Sequence, residues 1–154
     1  MPINYRRAVT EDLDQIYVLE QAVMPNPWSL ESLREAVESP NSIVLVATAE
    51  KSKDNYETAG FAIAYLTAFD GELPDIVVSP EYRRQGIGKG LLGCIIKEFE
   101  SRGLETLFLE VRQSNAAAKG LYGSLGFKEY HTRKNFYTNP VEDGVCMRLD
   151  FERL

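Results

Sequence analysis

Three groups of residues in this chain have types and spacings that could do chemistry. The first is Arg83-Arg84-Gln85-Gly86-Ile87-Gly88-Lys89-Gly90, which closely follows the apolar Ile76-Val77-Val78 and opens a long amphipathic run ending near Arg102. A strand that passes through a basic, Gly-rich turn into a helix gathers free backbone N–H groups at one point. The helix dipole and two arginines favour an anion there, and the glycines let a ligand approach the backbone closely. The chemistry implied is the binding of a phosphate-bearing ligand; the alternative is a turn capped only by solvated arginines. Neither common nucleotide pattern fits. Lys89 is followed by Gly90 where a Walker loop needs Ser or Thr, and Leu91 stands where the dinucleotide pattern needs its third glycine.

The second group is a single carboxylate, Glu110, inside the apolar run Leu107-Phe108-Leu109-Glu110-Val111. A carboxylate in such a strand is expected to lose water and to hold a proton more readily, which suits a general base near neutrality. The alternative is a strand glutamate facing solvent or paired with Arg112. The third group is Ser114-Asn115-Ala116-Ala117-Ala118, opening a helix on which Tyr122 lies two turns beyond Asn115 on the same face. The alanines between them leave room for a ligand. Equally, Tyr122 could be a core aromatic.

The elements that must position these groups can be read from periodicity and punctuation. Residues 3–8 read as a strand. Thr10 reads as the N-cap of a helix to about Val23, broken by Met24-Pro25-Asn26-Pro27-Trp28. Ser29 caps a second helix to about Ser39. Residues 42–49 and 58–69 read as strands joined by a polar hairpin loop over residues 50–57. A strand over 72–78, the basic turn, a helix over 86–101 stopped by Gly103, and a strand over 105–112 follow. A short helix over 115–124 ends at Gly126, and strands over 127–136 and 145–151 close the chain. The sum is a mixed α/β fold with some parallel pairing in the second half.

Composition narrows the rest. With 154 residues, 44% of them hydrophobic, the chain can bury a sizeable core as one domain spanning residues 1–154. No 18-residue apolar run and no basic-plus-apolar leader stand out, so the reading is a cytoplasmic protein with no membrane partner. Cys94 and Cys146 sit far apart in apolar contexts and read as buried small residues in a reducing compartment. With a single histidine, His131, a His-based metal site is not expected. A net charge of −6 argues against nonspecific nucleic-acid binding and suits a basic peptide partner.

Taken together, these segments resemble a known family. Val77-Val78, Pro80, Tyr82-Arg83-Arg84-Gln85-Gly86-Ile87-Gly88, then Gly90-Leu91-Leu92, resemble the acetyl-coenzyme A signature of the GNAT superfamily of N-acetyltransferases. Leu109-Glu110-Val111-Arg112, Ser114-Asn115, Ala117-Ala118, Leu121-Tyr122 and Leu125-Gly126-Phe127 are more specific. With Arg133, Asn135-Phe136-Tyr137, Glu142-Asp143 and the early Asn26-Pro27-Trp28-Ser29, they resemble the ribosomal-protein-alanine branch of that superfamily. The resemblance implies the GNAT fold: a twisted, mostly antiparallel sheet of about seven strands and about four helices, with parallel pairing at the cofactor cleft. It implies acetyl-coenzyme A as co-substrate and no metal. Backbone at Ile76, Val77 and Val78 would bind the pantetheine arm. Arg83, Arg84, Gln85, Gly86, Ile87, Gly88 and Lys89 would hold the pyrophosphate, and Asn115 would touch the cofactor further along. Glu110 would be the general base and Tyr122 the general acid. The acceptor implied is a protein N-terminus, that of a ribosomal protein. A small-molecule amine and a noncatalytic coenzyme A-binding module are the other readings.

Departures from the family pattern bear on the acceptor. Asp75 stands where the family commonly has Asn, which is expected to add a charge near the acceptor. Pro74 removes an N–H and is expected on an unpaired side or at a bulge. Phe136 replaces the first of two tyrosines. An α-amine titrates near ~7.7–8.0 and a lysine near ~10.4, so the neutral nucleophile at pH 7 costs roughly 1 kcal/mol for an N-terminus and about 4–5 kcal/mol for lysine. One glutamate is adequate for the former. Asp70, Glu72, Asp75, Glu142 and Asp143 could attract a basic N-terminal segment, or form a solvated rim unrelated to substrate.

Overall fold

The protein is described by a computed structural model covering residues 2–151. Seven strands form one sheet: β1 (Ile3–Arg7), β2 (Ser42–Ser52), β3 (Asn55–Leu66), β4 (Asp70–Val78), β5 (Thr106–Arg112), β6 (Lys128–Tyr137) and β7 (Glu142–Asp150). Their order is β1-β2-β3-β4-β5-β7-β6. All neighbours are antiparallel except β4 and β5. Four α-helices lie among the described residues: α1 (Leu13–Val23), α2 (Leu30–Glu38), α3 (Ile87–Ser101) and α4 (Ala116–Ser124). None of these helices is long and apolar enough to cross a membrane. The seven strands and four helices match the expected fold.

Two cores sandwich the sheet. On one face α1 and α2 bury Leu13, Ile16, Leu19, Leu33 and Ala36 against Val44, Val46, Phe61 and Ile63. On the other, α3 buries Ile87, Leu91, Leu92, Ile95 and Phe99, a stripe at helical spacing, against Leu45, Ala62, Leu107 and Leu109. The turns follow their chemistry. The Ser29 hydroxyl accepts from the Ser32 N–H at 3.1 Å and caps α2. Gly103, at φ 71°, ends α3 while the Leu104 N–H returns to the Phe99 carbonyl.

Two expectations need correction. Thr10 does not cap α1: residues Thr10–Asp12 form a single 3-10 turn, and the Asp12 carboxylate accepts the Val9 N–H at 2.8 Å while holding Arg6. Asp12 stands where it can serve both donors, and a threonine hydroxyl cannot. Nor is residues 50–57 a loop. β2 and β3 continue through it, pairing Glu50 with Tyr56 and Ser52 with Asn55, and only Lys53 and Asp54 turn. Ladder hydrogen bonds there outweigh the polar composition.

The sheet irregularity that matters lies in β4. Ile63 pairs with Asp75, but Tyr65 pairs with Glu72, so β4 carries one extra residue at Leu73–Pro74. Pro74, which has no N–H to offer, sits at this bulge as expected. The extra residue exchanges the faces. Leu73 packs in the α3 core, whereas Val77 packs in the α1–α2 core. Beside the bulge the parallel pairing also ends: Asp70, Gly71 and Glu72 pair with Thr106, Leu107 and Phe108, and no further pairs follow. Beyond that point β4 and β5 part.

Candidate active site

The parting leaves one edge of β4 without a strand partner, and Ile76, Val77 and Val78 lie along it. Val77 is buried, and the bond from the Ser79 N–H to the Ala59 carbonyl sets an alternation that turns the Val77 backbone to β3, so the half-buried Ile76 and Val78 are the residues whose backbone faces the open edge. Immediately after β4, a one-turn 3-10 helix (Pro80–Tyr82) leads into the basic turn. Tyr82 is buried, and its hydroxyl donates to Glu57 at 2.6 Å; Lys51 reaches the same carboxylate at 3.1 Å. This tie fixes the turn to β3, a role the sequence does not announce.

Within the turn, Arg84 has φ 66° and Gly86, the N-cap of α3, has φ 76°. A Cβ on Gly86 would meet nothing within 4 Å, so the glycine is needed for its left-handed backbone and leaves open space in front of the helix. The first intrahelical bond runs from the Gly90 N–H to the Gly86 carbonyl at 2.9 Å, leaving the N–H groups of Ile87, Gly88 and Lys89 without an intrahelical acceptor. Arg83, Arg84, Gln85 and Lys89 are exposed around them. Ile87 itself points into the core, so its contribution is its N–H. Backbone donors, a helix N-terminus and exposed cations around open space suit a pyrophosphate.

On the other lip stands Glu110. The alternation along β5 sends Leu107, Leu109 and Val111 inward and leaves Phe108, Glu110 and Arg112 on the opposite face. The expected desolvation of Glu110 is not found. Its side chain is 31% exposed, and its partner is Arg133 of β6 at 3.8 Å, not Arg112. Arg112 is occupied elsewhere, donating to the carbonyls of Thr138 and Pro140 at 2.9 Å and pairing with Glu142. It thereby holds the β6–β7 turn. Asn26, in the α1–α2 connection, donates to the same Thr138 carbonyl at 2.8 Å, so two loops wall one end of the cleft.

Tyr122 of α4 is buried, its ring against Phe127 with centroids 5.8 Å apart. The reading of Tyr122 as a core aromatic therefore holds. Burial, helped by Tyr137 and Asp75, pushes its phenol up to about 12. Tyr137 is likewise pushed up to about 12 by burial and by the Glu110 charge, although the Arg112 guanidinium, 4.7 Å over its ring, opposes this. Asn115 serves first as the N-cap of α4, its amide oxygen accepting from the Ala118 N–H at 3.1 Å. The amide nitrogen is what it can offer a ligand.

The acidic rim is corrected. Asp75 is 3% exposed and cannot meet a peptide at the surface, because the bulge turns it onto the α1 side. Glu142 is spent on the Ser114 N–H at 2.6 Å and on Arg112, and Asp143 accepts the Asn135 N–H at 2.8 Å. Glu72 is exposed and Asp70 half-buried. Phe136 is exposed, with the Arg133 guanidinium 5.3 Å over its ring. Cys146 is buried, Cys94 only partly, and both are free thiols. Among the described residues no cluster of three or more His, Cys, Asp or Glu has the arrangement of a metal site.

Glu20 was not singled out from the sequence, and Trp28 entered only as part of the helix break and of the Asn26-Pro27-Trp28-Ser29 resemblance. Glu20 is fully buried and accepts the Trp28 N–H at 2.9 Å. Its spacing of four and seven residues from Ile16 and Leu13 places it on the buried stripe of α1, a signal the sequence does contain.

Comparison with other proteins fits this geometry. Residues 13–127 match the acetyltransferase (GNAT) family. The chain is 41% identical over 142 residues to the ribosomal protein bS18 alanine N-acetyltransferase of Escherichia coli K12, covering 91% of this chain and 92% of that one. It is 36% identical over 144 residues to the enzyme of the same name from Haemophilus ducreyi, covering 92% and 95%. The crystal structure of the Escherichia coli ribosomal-protein-S18-alanine N-acetyltransferase superposes with a TM-score of 0.89 at 36% identity, covering 99% of this chain and 96% of that chain. By these matches, and by a sheet that parts beside a basic, Gly-rich turn, the chain belongs to the acetyltransferase (GNAT) family and is an acetyl-CoA-dependent N-acetyltransferase.

Proposed function

We propose that the chain transfers the acetyl group of acetyl-CoA directly to the N-terminal α-amine of a ribosomal protein, with alanine as the acceptor residue, and that residues 1–154 act as one catalytic domain. The observation that carries this reading is the unpartnered edge of β4 after the Glu72–Phe108 pair, with Glu110 on the facing strand. The relatives' acceptor, an alanine of ribosomal protein bS18, supports the finer assignment.

Acetyl-CoA supplies an activated acyl carbon. The turn over residues 83–89 holds its phosphates, and the N–H groups of Ile76 and Val78, which alternation turns away from β3, bind the pantetheine arm and polarise the thioester oxygen. Glu110 takes the proton that the amine loses as it attacks, directly or through a water. As the carbon–sulfur bond breaks, its electron pair goes to sulfur, and the Tyr122 hydroxyl donates there. Complete proton transfer from a phenol near 12 to a thiolate near ~8.5 costs about 5 kcal/mol. Tyr122 therefore serves chiefly as a hydrogen-bond donor that remains protonated throughout. Arg112 and Asn26 keep the two loops together at the end where the peptide enters.

The test is a coenzyme A release assay over short peptides with varied first residues, each beside its Nα-blocked twin. Turnover on Ala-first peptides that vanishes on blocking is expected. Turnover persisting on blocked, lysine-containing peptides overturns the assignment.

A further inference from the structure

Asp75 of β4 and Glu20 of α1 are the two most deeply buried carboxyl groups among the described residues, 3% and 0% exposed. The two carboxyls are neighbours, each acting on the other's charge. Yet Glu20 Oε1 and both Asp75 oxygens have no donor. Two carboxylates cannot satisfy each other, since each only accepts, and two adjacent buried negative charges are costly to keep. One proton between them resolves both problems. A protonated Asp75 becomes a donor, Glu20 Oε1 gains its missing partner, and Glu20 Oε2 remains on the Trp28 N–H.

We propose that Asp75 and Glu20 share a single proton, forming a carboxylic acid–carboxylate pair that ties the α1–α2 connection to β4 at the bulge. An asparagine at position 75 would donate through its amide at any pH; Asp75 donates only while protonated. The tie is thus pH-dependent here, and Asp75 is a positioning residue acting through Glu20 and Trp28.

The surroundings leave the proton little alternative. From α1 the charged group is Glu20, and from α4 the ionisable group is Tyr122, itself held protonated by burial. β3 presents the buried Ile63 as the cross-strand partner. From β5, Glu110 acts on Tyr137. α3 packs on the opposite face with apolar side chains. No lysine or arginine is among the groups acting on Asp75; the one opposing influence is the Ile76 backbone N–H, which favours the charged form and is the smallest of the four. Burial first, then the Glu20 carboxylate, raises Asp75 to about 9.

The sign of the linkage follows. An unfolded Asp releases its proton near ~3.9, so between roughly pH 5 and 8 the folded chain binds one proton more than the unfolded chain. Stability falls as pH rises through that window and levels off above about 9. Relative to Asp75→Asn, which lacks the titrating group, the folding constant of the native chain should fall up to about tenfold per pH unit there.

Two measurements test this, and neither uses catalysis, so failure here is distinct from failure of the proposed reaction. Denaturant unfolding of the native chain and Asp75→Asn from pH 5 to 8 should give that changing ratio; a constant ratio overturns the proposal. Trp28 is the single tryptophan, and its ring stacks on Tyr65 with an interplanar angle of 9°. Its emission should titrate with a midpoint near 9 in the native chain and not in Asp75→Asn. The same transition in both sinks the idea. Glu20→Gln gives a further readout: without the neighbouring charge the Asp75 transition should move to lower pH, and an unmoved midpoint also overturns the sharing.

Discussion

Glu110 on β5 meets Arg133 on β6 with 3.8 Å between carboxylate and guanidinium. The pair is open to water, Arg133 being 54% exposed, so it contributes only about 0–1 kcal/mol to folding. Stability and catalysis should therefore separate at this site. Glu110→Gln is expected to lower turnover by about 10²–10⁴-fold with the KM for acetyl-CoA nearly unchanged. Arg133→Gln should leave the unfolding midpoint within a few degrees. Steady-state kinetics with both substrates varied checks the first, and unchanged turnover in Glu110→Gln removes the residue from the role of base.

Tyr122 has a structural part and a chemical part that substitution can divide. Its ring is buried against Phe127, so Tyr122→Ala should cost about 3–5 kcal/mol by leaving a cavity. Tyr122→Phe keeps the ring and should fold normally while lowering turnover. Because the phenol is pushed up to about 12, it remains protonated over the working range, and kcat should show no fall due to Tyr122 up to pH 10. A Tyr122→Phe enzyme with native turnover would confine the residue to the core.

The left-handed turn before α3 was legible in the sequence because Gly86 and its basic neighbours act locally, through the backbone they permit. Glu110 and Tyr122 were legible as candidates for a similar reason: an acid in an apolar strand and a phenol on an alanine-rich helix are local anomalies. Their surroundings were not legible. Whether Glu110 loses water depends on β6, which the chain adds afterwards and which brings Arg133 to it. The destination of Asp75 depends on one extra residue at Leu73–Pro74, and a slip of one residue exchanges the two faces of a strand. Pro74 hinted at the bulge, but not at which core Asp75 would enter.

Gly86 allows the phosphate turn to be tested without touching a charge. Its φ of 76° costs an alanine about 1–2 kcal/mol, while the space in front of it would accept the methyl group. Gly86→Ala should therefore lose about that much stability through the backbone alone. The same shift disturbs the N–H groups of Ile87, Gly88 and Lys89, so the KM for acetyl-CoA should rise with the KM for the peptide little altered. Calorimetric titration with acetyl-CoA gives the same comparison. Native affinity in Gly86→Ala would move the phosphates elsewhere.

The closed end of the cleft depends on Gly71, which pairs with Leu107 beside the last parallel contact between β4 and β5. A methyl group at Gly71 would overlap the Phe99 ring and come within 2.7 Å of the Tyr65 carbonyl oxygen. Gly71→Ala should thus overpack the site and cost about 1–3 kcal/mol. Phe99→Leu should by itself cost about 1–2 kcal/mol, since the ring is fully buried in the α3 core. Combined, the two should cost less than their sum by at least about 0.5 kcal/mol, because the smaller side chain yields the space the methyl group needs. The rescue should be incomplete, as the Tyr65 carbonyl belongs to β3 and cannot withdraw. Urea unfolding of the four proteins at one pH measures the cycle. Strictly additive losses would mean that Gly71 and Phe99 do not compete for the same volume, and that the end of the cleft is closed by some other contact.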